Sequence, residues 1–174
     1  MRLFIAVHLS DEEYFRSLQE QITLPKMWLS LTKTFHLTIK FLGEVKEVRP
    51  VLERLEKVRF LATEIIVDHI GVFPSSGDPR VLWAGIKENL VVIKLQKDID
   101  FALEGLFASE KDWAAHVTLA RVKDAKDGTD YRKKIDLAKV TPKTFKVHSF
   151  SLVESKLSRT GTEYEDIAIF PSKS

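Results

Sequence analysis

The chain has 174 residues, of which 44% are hydrophobic and 30% charged, and its formal net charge is +2. This composition excludes a mainly disordered chain, and the small net charge argues against a broad surface for binding duplex nucleic acid. The chain contains no cysteine, which excludes disulfides, thiolate metal sites and cysteine nucleophiles. No apolar run approaches the roughly 20 residues of a membrane span. We therefore expect a cytoplasmic protein that does not engage a membrane.

The first half of the chain predicts strands interleaved with helices. Residues 2–9 predict a strand rather than a signal peptide, because charged residues follow at 11–13 and no small-residue cleavage site occurs. Ser10 and Glu13 have capping-box spacing at the start of a helix over 11–22. The remaining predicted elements are strands over 27–31 and 34–42, a helix from about Pro50, and strands over 64–73 and 80–87.

The second half repeats this order. Asn89 can cap a long helix, and apolar residues at helical spacing form one stripe along it: Val92, Leu95, Ile99 and Leu106. Further predictions are a strand over 115–122, a polar loop around 127–129, a short helix near 130–138, and strands over 144–154 and 162–170 joined by a hairpin at 158–161. We expect one domain over residues 1–174, made of two comparable lobes that divide near the turn-rich segment 74–79.

Each half carries the same short motif on a predicted strand. The first copy is His36-Leu37-Thr38-Ile39, the second is His116-Val117-Thr118-Leu119, and the histidines lie 80 residues apart. Side chains alternate along a strand, so each histidine shares a face with its threonine while the apolar residues point to the other face. Each motif therefore presents an imidazole and a hydroxyl on a rigid element backed by the core.

Two facing imidazoles suit in-line displacement at a cyclic phosphate. A neutral histidine can take a proton from the attacking water or hydroxyl, and a protonated one can donate to the departing ribose oxygen. The hydroxyls of Thr38 and Thr118 can donate to the non-bridging phosphate oxygens. This chemistry predicts no need for a metal, ATP or another cofactor. The alternative is a polar pair on a solvated sheet face, which is the better interpretation of a single motif but a poor one for two matched copies.

These residues resemble the two-histidine (2H) phosphoesterase superfamily, and within it the RNA 2′,3′-cyclic phosphodiesterases, also called 2′-5′ RNA ligases. The resemblance covers nearly the whole chain, including the opening residues 1–6, both motifs, and the stretches 71–74, 80–85 and 154–157. It implies an α+β, bilobal duplicated fold in which two antiparallel sheets face a central cleft and helices pack outside. It also implies that a 2′,3′-cyclic phosphate is opened to a 2′-phosphate, with His36 as proton donor and His116 as proton acceptor.

The resemblance further implies that the residues five positions beyond each histidine, Phe41 and Arg121, contact substrate. Phe41 would be a platform for a base, and Arg121 a clamp for phosphate or ribose. In a regular strand an offset of five reverses the face, so a bulge or a strand end is needed to direct these side chains to the cleft. A core aromatic is the alternative for Phe41. One departure from the family pattern is Trp113-Ala114-Ala115 before the second histidine, where relatives commonly have an aromatic residue or arginine followed by proline.

Other polar residues in predicted strands have a weaker case. We expect Lys40 to be a solvated lysine, His8 a hydrogen-bonded structural histidine, and His69 and His148 surface or structural residues. No zincin, P-loop or nucleophile-elbow motif occurs. Residues 125–128 do not match the Lys-x-Asp-Gly pattern of a nucleotide-charging ligase.

The sequence therefore predicts a hydrolase acting on RNA ends with a 2′,3′-cyclic phosphate, or on cyclic nucleotides, as a monomer. Three alternatives remain open. The same chemistry run between two RNA ends would give a 2′-5′ RNA ligase acting on ends like those of tRNA halves. A module that binds RNA ends without turnover belongs to another class. A phosphodiesterase for nucleotide or ADP-ribose derivatives is the third.

Overall fold

The computed structural model describes residues 1–24, 27–125 and 131–173, and these ranges form nine strands and four helices. The strands are β1 (Arg2–His8), β2 (Met27–Leu31), β3 (His36–Glu44), β4 (Thr63–Phe73), β5 (Val81–Ile86), β6 (His116–Ala125), β7 (Lys143–Val147), β8 (Ser149–Ser158) and β9 (Gly161–Pro171). The helices are α1 (Glu12–Ile22), α2 (Arg49–Leu55), α3 (Leu90–Ala102) and α4 (Tyr131–Leu137). The polar loop predicted around 127–129 lies outside the described residues. None of the described helices has the length and apolar character to cross a membrane.

The strands form one curled antiparallel sheet in the order β7-β4-β5-β6-β3-β1-β8-β9, and β2 also pairs with β6. We expected two separate sheets. The structure has one, because the two motif strands β3 and β6 are neighbours, joined where Leu37 faces Val117. An antiparallel sheet combined with helices agrees with the predicted α+β class. The joining of the strands places both motifs at the middle of the sheet.

Two connections differ from the sequence prediction. Residues 74–79 join β4 to β5, which pair with each other, so a lobe boundary there would fall inside a hairpin. The single strand predicted over 144–154 is wrong, because β7 pairs with β4 while β8 pairs with β1 and β9. The chain changes neighbours at His148, which lies between the two strands. The hairpin predicted at 158–161 is confirmed by the pairing of β8 with β9.

The helix starts are set by side-chain caps. Asn89 accepts a hydrogen bond from the N–H of Val92 at 3.0 Å, which confirms the predicted cap of α3. At α1 the cap is Asp11, whose carboxylate accepts from the N–H of Tyr14 at 3.0 Å, so the prediction that Ser10 caps this helix is wrong. The helix begins one residue later than the capping box requires.

The helices cover one face of the sheet and enclose the core with it. The apolar stripes of α1 and α3 are buried in the same cluster as the apolar residues of the two motifs. Leu106, which we expected on the stripe of α3, lies beyond the end of that helix at Ala102 and is exposed. The opposite face of β3 and β6 carries the motif histidines and threonines.

Lys40 is the main polar group in the core. It is 2% exposed, and its ammonium donates to Asp100 in α3 and to the carbonyl of Ala108. The carboxylate of Asp100 also accepts from the N–H of Glu110. The expectation of a solvated lysine is therefore wrong. The buried ion pair ties β3 to α3 and to the segment that leads into β6.

We predict that Lys40→Met lowers the free energy of unfolding by about 3–5 kcal/mol, because it leaves the carboxylate of Asp100, which is only 14% exposed, without its cation. Urea unfolding measures the change. The control is Lys94→Met, which breaks the exposed pair with Asp98 within α3 and is expected to cost less than about 0.5 kcal/mol. Equal losses in the two variants would contradict a buried, coupled Lys40–Asp100 pair.

Candidate active site

The two motifs alternate between core and surface as the sequence predicts. Leu37, Ile39, Val117 and Leu119 have no exposed surface, whereas both histidines and both threonines are half-buried on the other face. The apolar residues fix each strand to the core, because their burial would be lost if either strand slipped by one residue.

The pairing of β3 with β6 brings the motifs together. Leu37 and Val117, the middle residues of the two His-x-Thr triplets, face each other across antiparallel strands. In the next positions along the two strands, His36 therefore lies beside Thr118, and Thr38 lies beside His116. This is a local twofold arrangement in which each imidazole has the threonine of the other motif as a neighbour.

A bulge in β3 directs Phe41 to the same face as His36. In the pairing with β1, Thr38 faces Ala6 and Lys40 faces Ile5, so Ile39 is an extra residue. Ile39 and Lys40 are consequently buried in succession, and Phe41 is 61% exposed. The bulge that the sequence analysis required is confirmed, and Phe41 is not a core aromatic.

The same irregularity follows the second motif. In the pairing of β6 with β5, Thr118 faces Trp83 and Ala120 faces Leu82, so Leu119 is the extra residue. Leu119 and Ala120 are both buried, and Arg121 is exposed. In both copies a bulge follows the motif, so the fifth residue after the histidine lies on the same face as the histidine.

Five of the six predicted site residues line one cavity of about 460 Å³: His36, Thr38, Phe41, Thr118 and Arg121. Its described lining has two arginines, Arg2 and Arg121, several hydroxyls, and no carboxylate. This lining favours an anionic, hydroxyl-rich ligand. His116 lines an adjoining cavity of about 160 Å³, which shares Thr38 and Phe41 with the first.

His36 is held among aromatic rings. Its ring lies 5.0 Å from that of Phe4 and 5.3 Å from that of Tyr164, measured between centroids. Burial, and after it the charges of His8, Arg121 and His116, together lower the pKa of His36 from 6.5 to about 4. The imidazole is neutral at pH 7.

His116 has a defined tautomer. Its Nδ1 lies 2.7 Å from the carbonyl oxygen of Ala114, and because a carbonyl only accepts, Nδ1 carries the proton. In the neutral ring Nε2 is therefore the unprotonated nitrogen. Burial lowers the pKa of His116, the bond to Ala114 opposes this, and Arg121 lowers the pKa again. The acceptor of this hydrogen bond is a backbone carbonyl. The departure from the family pattern at Trp113-Ala114-Ala115 therefore leaves the hydrogen bond to His116 intact.

The other histidines lie where the sequence analysis expected. His8 faces His36 across β1 and β3, and its Nε2 lies 2.7 Å from a carboxylate oxygen of Asp166. His69 is exposed, with its Nδ1 2.6 Å from Asp68, and His148 is exposed between β7 and β8.

Sequence reasoning missed four aromatic residues around the two imidazoles. Phe4 and Tyr164 flank His36, while the rings of Phe73 and Trp83 lie 5.1 and 6.2 Å from that of His116. Phe73 and Trp83 lie in the stretches 71–74 and 80–85, which contributed to the family resemblance. That resemblance was the sequence signal that could have identified them. Tyr164 has no such signal in the sequence.

Comparison with known proteins shows the family and the fold of the chain. The family model described as LigT-like phosphoesterase matches residues 7–83. The RNA 2′,3′-cyclic phosphodiesterase of Archaeoglobus fulgidus is 33% identical, over 98% of this chain and 99% of that protein. The RNA 2′,3′-cyclic phosphodiesterase of Methanocaldococcus jannaschii is 32% identical, over 96% of this chain and 98% of that protein. The solved structure of E. coli LigT with 3′-AMP has a TM-score of 0.80 at 23% identity, covering 99% of this chain and 98% of that one, and shows the same fold.

The curled sheet and the paired His-x-Thr strands define a phosphoesterase of the two-histidine class. The likeness to the A. fulgidus enzyme extends over essentially the full length of both proteins. The chain belongs to the family of LigT-like RNA 2′,3′-cyclic phosphodiesterases.

We predict that His36 makes stability depend on pH. Its pKa is lowered from 6.5 to about 4 by folding, so the unfolded chain binds the proton more readily. The contribution of this shift to the free energy of unfolding is complete above pH 6.5. It is lost as the pH falls toward 4, which lowers the free energy of unfolding by up to about 3 kcal/mol. Urea unfolding of the parent and of His36→Gln across this range measures it. The parent should lose more stability on acidification than the variant, and parallel curves would contradict the lowered pKa.

Proposed function

We propose that this protein hydrolyses RNA 2′,3′-cyclic phosphates to 2′-phosphates by acid–base catalysis between its two motif histidines. The observation that carries the proposal is the facing of Leu37 and Val117, which puts both imidazoles and both hydroxyls on one face beside a cavity lined by arginines and hydroxyls. Full-length likeness to the A. fulgidus and M. jannaschii phosphodiesterases supports the substrate class.

His116 is the proposed proton acceptor. Its Nδ1–H donates to Ala114, which leaves the Nε2 lone pair for the proton of the attacking water. The lowered pKa keeps this nitrogen unprotonated near neutral pH. Water oxygen attacks phosphorus, and its proton passes to Nε2 as the new bond to phosphorus forms.

His36 is the proposed proton donor to the 3′-oxygen as its bond to phosphorus breaks. In the free protein its low pKa keeps it neutral. The bound phosphodiester carries a negative charge, which raises the pKa of the imidazole and lets it take up a proton. The product is then a 2′-phosphate with a free 3′-hydroxyl.

The four remaining predicted residues bind the substrate. Within the described residues, the hydroxyls of Thr38 and Thr118 have no hydrogen-bond partner and can donate to the non-bridging oxygens. Arg121 neutralises the phosphate, and the exposed ring of Phe41 offers a face for stacking of the terminal base.

The finer organisation of the fold also belongs to this proposal. The half-sheets β6-β5-β4-β7 and β3-β1-β8-β9 each begin with a motif strand, and we take them as the two pseudo-symmetric lobes that flank a central cleft. A monomeric, cytoplasmic enzyme remains a prediction from the sequence.

We predict that His36→Ala and His116→Ala each lower kcat/KM for an oligonucleotide with a 2′,3′-cyclic end by roughly 10²–10⁴-fold. A matched substrate with sulfur in place of the 3′-oxygen separates the roles, because a thiolate leaves without protonation. His36→Ala should recover most of its activity on the sulfur substrate, whereas His116→Ala should not.

The roles would be exchanged if His116→Ala alone were rescued. Identification of the product as a 3′-phosphate would overturn cleavage of the bond to the 3′-oxygen. If the parent bound the cyclic end but gave no product, the protein would be an RNA-end binding module instead.

We also predict a bell-shaped dependence of kcat/KM on pH with its maximum on the acidic side of 6.5. Protonation of His116 removes the base on the acidic limb, and deprotonation of His36 removes the acid on the alkaline limb. The pKa values of both histidines are lowered in the free protein, so both limbs of the pH profile lie at lower pH than unperturbed histidines would give. Arg121→Gln removes a cause of both shifts, so both limbs should move to higher pH. A flat profile between about pH 5 and pH 8 would contradict complementary histidine roles.

A further inference from the structure

The two half-sheets meet at a narrow junction, which we call the seam. They are joined in the sheet by the pairing of β3 with β6 at one position, where Leu37 faces Val117. On its other side β3 pairs with β1 over the whole of that strand, from Arg2 to His8. A single pair of facing residues fixes the register at the seam but leaves the angle between the half-sheets open.

An indole bridges the seam on the side of His116. Trp113 lies in the segment before β6, and its Nε1–H donates to the carbonyl oxygen of Thr38 in β3 at 3.1 Å. The next residue, Ala114, has the carbonyl that accepts from Nδ1 of His116. Trp113 therefore ties the support of one motif histidine to the backbone of the other motif.

A buried amide bridges the seam on the side of His36. Gln19 in α1 is 5% exposed, and its Nε2 donates at 2.8 Å to the carbonyl oxygens of Leu119 in β6 and of Thr32. Thr32 lies in the loop that leads into β3, and its N–H donates to the same carbonyl of Leu119 at 2.9 Å. The amide of Gln19 thus joins β6 to the segment that ends at His36.

The two bridges lie on opposite sides of the facing pair. Thr38 follows Leu37 in the direction of His116, whereas Leu119 lies two positions beyond Val117, in the direction of the start of β3. A rotation of the half-sheets about the facing pair would therefore lengthen or break at least one bridge. Together the bridges fix the angle that the single pair leaves open.

We propose that Trp113 and Gln19 are positioning residues that hold the motif strands at the spacing where one phosphate contacts both imidazoles. This inference rests on the proposed function, in which His36 and His116 act on opposite oxygens of one phosphorus. Reaction at that phosphorus tolerates little displacement, because a misplacement of about 1 Å can cost roughly 10²-fold in rate. The donors of both residues bind backbone carbonyls, so they act through the strands and not on the phosphate.

Two variants remove the bridging donors: Trp113→Phe and Gln19→Met. Each should lower kcat for an oligonucleotide with a 2′,3′-cyclic end about ten- to a hundredfold and change KM by less than about twofold. KM is expected to hold because Arg121 and Phe41, which bind the substrate in the proposed function, are untouched. Rates are measured well below the unfolding temperature of each variant, so that reduced stability does not lower the folded fraction.

Gln96→Met is the matched control for Gln19→Met. Gln96 is also 5% exposed and also lies in a helix, α3, but its Nε2 has no hydrogen-bond partner among the described residues. The same substitution there removes no bridge, so kcat and KM should equal those of the parent. Trp28→Phe, which alters an exposed indole on β2, is the corresponding control for Trp113→Phe.

A second readout measures the spacing of the half-sheets and needs no turnover. The chain has no cysteine, so nitroxide labels can be attached to Glu64→Cys in β4 and Glu163→Cys in β9, one exposed position in each half-sheet. Pulsed EPR should give the same narrow distribution of label distances for the parent and for Gln96→Met. The distribution should shift or broaden in Trp113→Phe and in Gln19→Met.

The two proposals fail in different ways. A parent that gives no hydrolysis, with label distances that change in both bridge variants, would overturn the proposed function and support the bridging of the seam. Unchanged label distances in Trp113→Phe and Gln19→Met would overturn the positioning role, whatever their rates. A loss of kcat in Gln96→Met as large as that in Gln19→Met would also overturn it, because the loss would then come from the packing of the helices.

Discussion

The facing of Leu37 and Val117 is the contact on which the geometry of the site depends. Both residues are fully buried, so each holds its strand in the one register that places its flanking histidine and threonine on the open face. Antiparallel strands are related by local twofold symmetry around facing residues, and here those residues are the centres of identical motifs. The placement of both histidine–threonine pairs on one face of adjacent strands follows from this single residue pair.

The duplicated bulge explains how a symmetric scaffold supplies asymmetric chemistry. Both strands have an extra residue at the same distance from the histidine, so the fifth residue after each histidine returns to the open face. In one strand that residue is the exposed aromatic Phe41 and in the other the cation Arg121. Lys40 and Ala120 precede them and are buried. The buried Lys40 has a structural role, because its ion pair with Asp100 connects β3 to the segment leading to His116.

The sequence was sufficient for the parts of the site that depend on local periodicity. Alternation in the two motifs predicted which residues are buried, and the offset of Phe41 and Arg121 required the bulges that the structure contains. The joining of the half-sheets, the break at His148 and the burial of Lys40 depend on which strands become neighbours, which local pattern does not encode. The positions of Phe73 and Trp83 beside His116 also depend on which strands become neighbours. They reach His116 only because β4, β5 and β6 pair in order, and residues 71 and 85 are glycines beneath the rings of Trp83 and His69.

The two histidines differ in their support more than in their burial. His116 has its tautomer fixed by the carbonyl of Ala114, whereas His36 is surrounded by the rings of Phe4 and Tyr164 and has no such acceptor among the described residues. Burial disfavours the imidazolium at both positions, so a proton on His36 needs the negative charge of a bound phosphate nearby. In the proposed mechanism, substrate binding would thus protonate His36 when a proton donor is required. His36 would return to its neutral form once the proton has moved to the leaving oxygen. In the same proposed mechanism Arg121 would oppose this protonation, because its charge lowers the pKa of His36.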